Sequence, residues 1–463
     1  MFMINSLALS ILLLAFFASI TFNGFFRTIA RNSDFLIDIP DKSRKFHDRA
    51  TPLTGGLGIF FGIIVSGILL TGLTGANYSV DFTNKGFLEN SQISSGSVSK
   101  NYEVSNKDYE LSLNKTNKNR ISVQIKTDSA QNENKDIVDI VSLDNNKFKA
   151  ILPNGVEKYY LIDSGNVIEI TESNEKIDIF SPTNTDKINL NNFSISLYIC
   201  ALFIMIFMIF DDYLTINPIF RLIFQILITS LMIAMSGEFI HQIGNIFGLG
   251  VIELGILSIP FTIFCVVGLM NAFNMIDGLN GICASLALIP IMYMTFLGNF
   301  SYGLLVPIGA ILGFLAYNLG YLGKKRRVFL GDSGTNMLGF AVAFICIEYS
   351  QNINHPSYIN PVTALWLVSI PLIDCVTVMI SRLLNGIMPF RPGRDHLHHK
   401  LLDLGYKPKK ILMIMVLSSA ILALVGFLIE LNFQDKEYIS FYAFSALALF
   451  YYLLSKKNIN ENV

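Results

Sequence analysis

The chain has 463 residues, of which 52% are hydrophobic and only 15% are charged. Soluble proteins carry about 25% charged residues, so this composition excludes an ordinary soluble globular protein. The formal net charge of −1 provides no basic excess to attract nucleic acid, and no nucleic-acid partner is expected. The apolar residues collect in blocks of about 20, the length that crosses a bilayer as a helix. The composition therefore predicts an all-α polytopic membrane protein.

Eleven apolar segments are long enough to span a membrane, and we predict about 11 transmembrane helices. Lipid offers the backbone no hydrogen-bond partners, so each spanning segment must be helical. The first segment lacks the basic start and the cleavage site of a signal peptide, and we interpret it as a retained helix. The predicted spans cover residues 5–26, 53–74, 193–210, 218–236, 254–273, 281–298, 302–322, 333–350, 361–383, 410–430 and 437–455.

A polar segment rich in Asn, Lys, Ser and Asp separates the second and third predicted spans. It divides the chain into residues 1–75 with two spans, an insertion at 76–192, and residues 193–463 with the other nine spans. Alternating runs of residues around the turn at Pro153 to Gly155 are typical of a β-hairpin. We therefore predict a small β-rich domain in the insertion. It contains no catalytic cluster, so we expect an accessory or contact module.

Lysine and arginine are concentrated in one set of short loops, which sets the predicted orientation. The basic loops follow the first, seventh, ninth and last spans, whereas the opposite short loops carry almost no Lys or Arg. Basic short loops remain in the cytoplasm, so the amino terminus is predicted outside and the carboxyl terminus inside. The insertion is then extracytoplasmic, and every polar motif described next is expected on the cytoplasmic side.

The first cytoplasmic loop contains Lys45 and His47 and ends in the pair Gly55-Gly56, which opens the second span. Basic side chains and backbone N–H groups at a helix start can hold phosphate groups. The alternative is a positively charged membrane anchor followed by a helix-breaking turn. The loop alone does not decide between them.

Asp211 and Asp212 follow the apolar third span, where ionised carboxylates are costly unless they function or reach water. Paired carboxylates can bind Mg²⁺, position a nucleophile or accept a proton. The alternative is an ordinary loop that caps the next helix at Asn217-Pro218. Arg221 in that helix can reach back toward a phosphate, or its side chain can extend to the membrane interface.

Asn271, Asn274 and Asp277 are spaced by three residues, which places them on one helix face near the end of the fifth span. Two carboxamides and a carboxylate on one face are suited to a metal ion or a sugar hydroxyl. A purely structural role for three such residues is the less favoured alternative.

Asp332 lies in the sequence Phe-Leu-Gly-Asp-Ser-Gly, just before the eighth span. The free N–H groups of a helix start, together with a cation held by this carboxylate, could bind a diphosphate. The alternative is that Asp332 only caps the helix.

The sequence His396-Leu-His398-His399 follows Arg391 and Arg394. A zinc site needs three or four convergent ligands, and no nearby cysteine or glutamate completes one. Histidines with two arginines indicate anion recognition instead, with a plain surface loop as the alternative.

Together these motifs resemble the polyprenyl-phosphate N-acetylhexosamine-1-phosphate transferases, the WecA- and TagO-like branch of glycosyltransferase family 4, and more distantly the MraY translocases. The resemblance covers residues 1–75 and 193–430 and leaves out the insertion. The matching motifs, in the family's order, are Asp38-Ile-Pro with Arg44-Lys-Phe-His47 and Gly55-Gly56, Asp211-Asp212, Asn271-Ala-Phe-Asn-Met-Ile-Asp277-Gly, Phe329-Leu-Gly-Asp332-Ser-Gly, and His396-Leu-His-His399.

The resemblance implies a reaction in which a membrane polyprenyl phosphate, undecaprenyl phosphate in bacteria, attacks the β-phosphorus of a UDP-N-acetylhexosamine and UMP leaves. UDP-GlcNAc is the expected sugar nucleotide, Mg²⁺ or Mn²⁺ the expected cofactor, and a cell-surface glycan pathway the expected context. The enzyme would lie in the bacterial inner membrane with a cytoplasmic active site, and a homodimer is compatible with it.

By analogy with the family, Asp332 and Asn274 hold the metal, and Asp211, Asp212 and Asp277 are the other catalytic residues or neighbours of the attacking phosphate. The resemblance also implies a set of substrate-binding residues. These are Lys45, His47, Arg221, Asn271, Asn274, Asn280, Arg394, His396, His398 and His399.

One position departs from the family pattern, because many bacterial members have aspartate where this chain has Asn280. Asparagine keeps the hydrogen-bonding shape but loses the charge, so we expect a contact to the nucleotide and no obligatory base there. The second pKa of a phosphate monoester is about 6, which leaves the lipid phosphate mostly dianionic at neutral pH. A divalent cation and cationic side chains are therefore expected to matter more than a strong base.

Three other functions stay open at this point. The first is an MraY-type transferase that uses UDP-MurNAc-pentapeptide. The second is a transporter or ion pathway with carboxylates as relays, although only Asp374 falls well inside a predicted span. The third is an interaction protein whose β-rich insertion is the functional part.

Overall fold

The computed structural model describes residues 6–40, 49–74, 192–214, 216–296, 302–351, 359–389, 393–433 and 436–460, together with eight strands between residues 103 and 177. The chain divides into two units, one formed by Met1–Asn84 with Ile188–Val463 and the other by Lys85–Lys187.

The first unit is helical. Its thirteen helices among the described residues are α1 (Ser6–Ser33), α2 (Gly55–Thr74), α3 (Asn192–Leu214), α4 (Pro218–Ser236), α5 (Ser258–Ile276), α6 (Ile282–Phe296), α7 (Tyr302–Asn318), α8 (Gly331–Gln351), α9 (Pro361–Leu367), α10 (Ser369–Leu384), α11 (Leu397–Asp403), α12 (Pro408–Asn432) and α13 (Glu437–Asn460). Between α1 and α2, β1 (Ile37–Asp38) pairs antiparallel with β2 (Thr51–Pro52).

The second unit is an antiparallel sheet in which each strand pairs with the next strand along the chain. The two strands that flank the turn predicted at Pro153 to Gly155 pair antiparallel, and Ile151 lies opposite Glu157 in their register. The turn residues themselves lie outside the described residues. The strands are β3 (Glu103–Asn106), β4 (Tyr109–Asn117), β5 (Arg120–Lys126), β6 (Ile137–Asp144), β7 (Lys147–Ile151), β8 (Glu157–Asp163), β9 (Asn166–Ile170) and β10 (Lys176–Ile177).

Helix α8 is the centre of the helical unit. It is buried along nearly its whole length and packs against α2, α3, α5 and α6. Close approach depends on small residues, as is usual between membrane helices. A Cβ atom at Gly339 would lie 2.8 Å from the Cα atom of Met270 in α5, and one at Gly56 would lie 2.7 Å from the Cα atom of Gly334. These contacts bring the ends of α2, α5 and α8 together.

Helices α1 and α7 meet in the same way. Gly309 and Gly313, four residues apart on α7, face the backbone oxygens of Leu12 and Phe16 on α1. Added Cβ atoms would lie only 2.4 and 2.5 Å from those oxygens. The spacing is the small-xxx-small pattern that lets two membrane helices approach closely.

The helices fit a polytopic membrane protein. Within the part of the chain that the structure describes, six helices are long and apolar enough to cross a membrane, or seven if the bent pair α9 and α10 counts as one span. Three further apolar helices are shorter, at Gly55–Leu70, Ile282–Phe296 and Gly303–Asn318. Each of the eleven predicted spans contains helix, but the number that cross the membrane stays a prediction.

The ninth predicted span, at residues 361–383, is not one straight helix. It breaks between α9 and α10, which meet at an angle of 84°. Val368 at the break leaves helical geometry, with φ −110° and ψ 21°. Pro371 follows three residues later and has no N–H to donate to a carbonyl of the preceding turn. Because of this break, α10 runs in a different direction from α9, and α10 is the helix that precedes the histidine segment.

Candidate active site

Asp211 and Asp212 lie in the last turn of α3, because that helix continues to Leu214 rather than ending at residue 210 as predicted. The chain turns at Asn217, whose side-chain oxygen accepts the N–H of Ile219, and Pro218 opens α4. This short turn returns the chain toward the carboxylates. It places Arg221 in the first turn of α4, close to the end of α3.

Arg221 contacts two of the predicted carboxylates. Its Nη2 atom lies 2.6 Å from Asp211 Oδ2, and its Nη1 atom lies 3.3 Å from Asp332 Oδ2. The Asp211 side chain is 1% exposed, whereas that of Asp332 is 38% exposed. Asp211 is therefore buried in its ion pair with Arg221, whereas the carboxylate of Asp332 is accessible to a ligand.

Asp212 joins the end of α3 to the start of α8. Its Oδ1 atom accepts the backbone N–H of Asp332 at 3.2 Å. Its Oδ2 atom is buried and has no hydrogen-bond partner among the described residues. Gly331, with φ +75°, allows this approach, since an added Cβ would lie 3.1 Å from Asp212 Oδ2. Helix α8 begins at Gly331, so Asp332 lies inside its first turn and not just before it.

On the predicted face of Asn271, Asn274 and Asp277, the two asparagine side chains form hydrogen bonds with neighbouring helices. Asn271 donates to Gln225 Oε1 on α4 at 2.9 Å, and Asn274 donates to Thr335 Oγ1 on α8 at 3.0 Å. The two asparagines thus connect α5 to different helices. Asn271 uses both of its side-chain N–H groups internally, since the second one donates to the backbone oxygen of Val267. Asn274 uses one N–H group for Thr335 and has its side-chain oxygen for a ligand.

Asp277 follows the last residue of α5 and is half-buried. Burial raises its pKa to about 7, and the negative charge of Asp332 acts in the same direction. Asp277 and Asp332 are therefore electrostatically coupled. Asn280 lies in the turn that follows, just before Gly281 and α6.

Sequence reasoning missed the polar residues that support this face. Gln225 donates to Asn336 Oδ1 at 2.7 Å, and Asn336 and Thr335 each donate to the backbone oxygen of Asp332. The resulting network links α4, α5 and α8. Gln225 is a polar residue within an apolar span, and that was the available signal.

The histidine segment lies against the turn after α5. His398 is 1% exposed, and neither of its ring nitrogens has a hydrogen-bond partner in the described parts of the chain. A Cβ atom at Gly278 would lie 2.0 Å from His398 Nε2, so the two residues are in direct contact. Burial lowers the pKa of His398 to about 3, with a further contribution from the nearby His399. His398 is therefore neutral and can recognise an anion only by donating an N–H.

The other two histidines differ from His398. His396 is buried, and its Nδ1 atom lies 2.9 Å from Asp374 Oδ2. His399 is half-buried, and burial followed by the positive charge of Arg394 lowers its pKa. Arg394 is largely exposed and pairs with Asp403 at 3.0 Å.

Arg382 was not identified from the sequence as a site residue. Its side chain is 4% exposed and forms a bidentate pair with Asp395, with nitrogen–oxygen distances of 2.8 and 2.6 Å. A third nitrogen donates to the backbone oxygen of Pro389 at 2.6 Å. Burial opposes ionisation of Asp395, but the Arg382 pair outweighs it and lowers the pKa. Arg382 shapes the segment before the histidines.

One of the two alternatives for the Gly55-Gly56 pair, phosphate binding by its backbone N–H groups, is wrong. The backbone N–H groups of Gly55 and Gly56 donate to the carbonyl oxygens of Phe329 and Leu330 at 2.9 and 3.1 Å. They are therefore not available to a phosphate group. The pair instead fixes the segment that leads to Asp332. Lys45 and His47 lie outside the described residues.

The donors present fit a magnesium ion that is completed by substrate. Within the described ranges, no three Asp, Glu, His or Cys side chains converge closely enough to hold a metal by themselves. Mg²⁺ commonly binds one or two carboxylates and takes its other ligands from water and substrate phosphates. The accessible carboxylate of Asp332 and the side-chain oxygen of Asn274 are oxygen donors of that kind. The buried, unpartnered Oδ2 atom of Asp212 lies next to Asp332, where a nearby cation would stabilise it.

Comparisons with known proteins identify relatives of this chain. Residues 194–350 match the sequence model of a family described as glycosyl transferase family 4. The chain is 36% identical over 265 residues to the undecaprenyl-phosphate alpha-N-acetylglucosaminyl 1-phosphate transferase of Escherichia coli strain K12, a match covering 56% of this chain and 71% of that protein. The Haemophilus influenzae protein of the same name is 35% identical over 268 residues, with 55% and 73% covered.

Proposed function

Since the chain belongs to glycosyl transferase family 4, we propose that it transfers N-acetylglucosamine-1-phosphate from UDP-GlcNAc to undecaprenyl phosphate. An oxygen of the lipid phosphate forms a bond to the β-phosphorus of the nucleotide. The bond from that phosphorus to the oxygen bridging it to the α-phosphorus breaks, and UMP leaves with that oxygen. The lipid diphosphate sugar stays in the membrane as the first intermediate of a surface glycan.

The arrangement of Arg221 between Asp211 and Asp332 carries this proposal. A dianionic lipid phosphate and a nucleotide diphosphate repel each other, so catalysis requires positive charge and alignment. Arg221 brings a fixed positive charge to the carboxylates at the ends of α3 and α8. Its bond to Asp211 holds the guanidinium in place, while its longer contact with Asp332 leaves that carboxylate able to exchange Arg221 for a cation.

A divalent ion at this site would neutralise charge on the diphosphate as the new bond forms. Asp332 would hold it, with the oxygen of Asn274 as a second ligand and substrate oxygens completing the shell. Asp212 keeps Asp332 in position by accepting its backbone N–H. Asp277, whose pKa is raised to about 7, holds or releases a proton next to this charge without a large cost.

The remaining predicted residues are assigned to the sugar nucleotide. His398, neutral and unpartnered, donates an N–H to a phosphate or sugar oxygen, and His396, His399 and Arg394 complete that side. Asn271 orients the site through Gln225. Lys45, His47 and Asn280 would contact the uridine or its phosphates, and Asn280 does so by hydrogen bonds.

A large apolar cavity accounts for the lipid substrate. It has a volume of about 690 Å³ and is lined by residues of α4, α5, α8, α9 and α10, including Ile226, Phe264, Leu365 and Val376. The lining includes Asn271, which is part of the polar site. We assign this cavity to the first isoprene units of the polyprenyl chain, because its lining is mostly apolar and includes a residue of the polar site.

The proposed topology has eleven spans in a bacterial inner membrane. The active site lies at the cytoplasmic face, where nucleotide sugars are available, and residues 76–192 are extracytoplasmic. The basic short loops support this orientation. A homodimer is compatible with the proposal but is not required by it.

The test is UMP release by membranes that contain the protein, supplied with undecaprenyl phosphate, Mg²⁺ and a panel of UDP-sugars. The proposal expects UMP from UDP-GlcNAc, loss of activity in Asp332→Ala, and no loss in the control Asp34→Asn, which changes an exposed aspartate that precedes β1. UMP release only with UDP-MurNAc-pentapeptide would assign the chain to the MraY-type reaction instead.

A further inference from the structure

Asp374 is a carboxylate buried inside the bent pair of helices α9 and α10. It is 2% exposed and lies on α10, in a segment that is apolar enough to span the membrane. An ionised group at such a position is costly unless donors surround it. Its role is not explained by the carboxylate cluster around Asp332, since none of its hydrogen bonds involves that cluster.

Three donors from two different segments reach Asp374. The Oδ2 atom lies 2.9 Å from His396 Nδ1. The Oδ1 atom accepts the backbone N–H of Leu397 at 2.9 Å and the hydroxyl of Tyr451 on α13 at 2.7 Å. A carboxylate can only accept, so the contact with His396 requires the proton on Nδ1. Asp374 thereby sets the tautomer and the ring orientation of His396.

Asp374 also caps the short helix α11. His396 occupies the N-cap position of α11 but makes no capping hydrogen bond with its own side chain. The N–H of Leu397, the first residue of α11, is satisfied by Asp374 instead. The start of α11 is therefore fixed from outside, by a residue of α10.

The position of α11 decides where the next histidine lies. His398 belongs to the first turn of α11 and contacts Gly278 directly. A second tie joins α11 to the last helix, because Lys400 Nζ donates to Ser455 Oγ on α13. A continuous set of contacts thus runs from α13 through Asp374 and α11 to the turn after α5.

We propose that Asp374, held by Tyr451 of the last helix, is a positioning residue that fixes His396 and the start of α11 for binding of the sugar nucleotide diphosphate. This inference rests on the proposed function. It assigns Asp374 and Tyr451 no contact with substrate. It also gives α13, at the far end of the sequence, a direct part in the geometry of the site.

Kinetics of three variants test the inference. Asp374→Asn keeps the size of the side chain but presents an N–H group to one of its donors, so the KM for the UDP-sugar should rise at least tenfold. Tyr451→Phe removes one hydrogen bond to a charged group and should raise the same KM on the order of tenfold or less. Tyr452→Phe, the matched control one residue further along α13, should leave this KM unchanged, since the α13 hydroxyl that donates to Asp374 belongs to Tyr451.

The KM for polyprenyl phosphate should stay within about twofold in all three variants. A purely structural defect would lower the amount of active enzyme and leave both KM values alone. Unchanged KM for the UDP-sugar in both Asp374→Asn and Tyr451→Phe, or an equal rise in both KM values, overturns the inference.

A second measurement needs no turnover and separates this inference from the proposed function. Histidine acylation by diethyl pyrocarbonate, mapped by mass spectrometry on the detergent-purified full chain, reports how accessible the nitrogens of each ring are, and His396 is buried in the unsubstituted protein. His396 should react at least fivefold faster in Asp374→Asn than in the unsubstituted protein, while His241 reacts equally in both. An unchanged rate at His396 would overturn the positioning role, whereas absence of UMP release would overturn only the function.

Discussion

The carboxylate of Asp212 accepts the backbone N–H of Asp332 at 3.2 Å. These residues are 120 positions apart in the sequence, yet this bond joins the last turn of α3 to the first turn of α8. Asp332 is therefore held by its backbone, which leaves its side chain for Arg221 and for a cation. The site is built from helix ends, which explains how an apolar bundle can gather several carboxylates.

Two substitutions at Asp212 should separate charge from hydrogen bonding. Asp212→Asn can still accept the N–H of Asp332, so we expect little change in melting temperature but a loss of activity of about 10- to 100-fold, as for other residues that orient a metal ligand. Asp212→Ala also removes the acceptor at the start of α8 and should cost about 1 kcal/mol of stability. Equal melting temperatures for the two variants would contradict this separation.

Substitution of Arg221 should affect metal dependence as well as rate. Arg221→Gln removes the cation that contacts Asp211 and Asp332, and the carboxylates then carry uncompensated negative charge. We expect kcat to fall on the order of 100-fold, while the Mg²⁺ concentration giving half-maximal activity falls too. Titration of UMP release with Mg²⁺ measures both quantities. A higher Mg²⁺ requirement would mean that Arg221 helps to hold the metal site together rather than competing for it.

Asp277 should make the stability of the protein depend on pH. Its folded pKa is raised to about 7, whereas an unfolded aspartate has a pKa of about 3.9. The folded state therefore binds the proton more tightly, and its stability relative to Asp277→Asn declines as pH rises from about 4 to about 7. Thermal unfolding is measured in detergent, with EDTA to remove divalent ions. The melting temperature of Asp277→Asn should rise relative to that of the unsubstituted protein as pH increases over this range. A constant difference between the two proteins would show that Asp277 titrates normally.

The contact between Gly278 and His398 should be sensitive to a single methyl group. Gly278→Ala would place a Cβ atom where His398 lies, at 2.0 Å from Nε2, so the histidine must move. We expect at least a tenfold fall in kcat/KM with the protein still folded. Gly67→Ala on α2 is the control, since an added Cβ there would meet no neighbouring side chain or element within 4 Å. Full activity in Gly278→Ala would show that the position of His398 does not matter for the reaction, and would contradict its assignment to the substrate site.

Local sequence patterns were sufficient to find the long apolar helices other than the broken ninth span, and the main polar motifs. The spacing of Asn271 and Asn274 correctly placed them on α5, and the carboxylates at Asp211 and Asp332 lie at helix ends. Long-range pairing was not accessible in this way. The partners of Asn271 and Asn274, namely Gln225 and Thr335, are 46 and 61 residues away, and no local spacing encodes such contacts.

Two errors have physical explanations. Phosphate binding by the Gly55-Gly56 pair was one of two alternatives because glycine at a helix start exposes N–H groups, but tertiary contacts with Phe329 and Leu330 satisfy them. The ninth span was read as one helix from its hydropathy, which contains no information on direction. The helix breaks at Val368, where the backbone leaves helical geometry. Pro371 was the one residue in the sequence that could have indicated a break, because it lacks an N–H group.

The most direct test of the central claim is the identity of the nucleotide released. Purified protein in detergent, with UDP-GlcNAc, undecaprenyl phosphate and Mg²⁺, should give equal amounts of UMP and undecaprenyl-diphosphate-GlcNAc by liquid chromatography and mass spectrometry. Attack on the β-phosphorus predicts UMP. Release of UDP with a lipid monophosphate sugar would place the attack at the sugar carbon and would contradict the account.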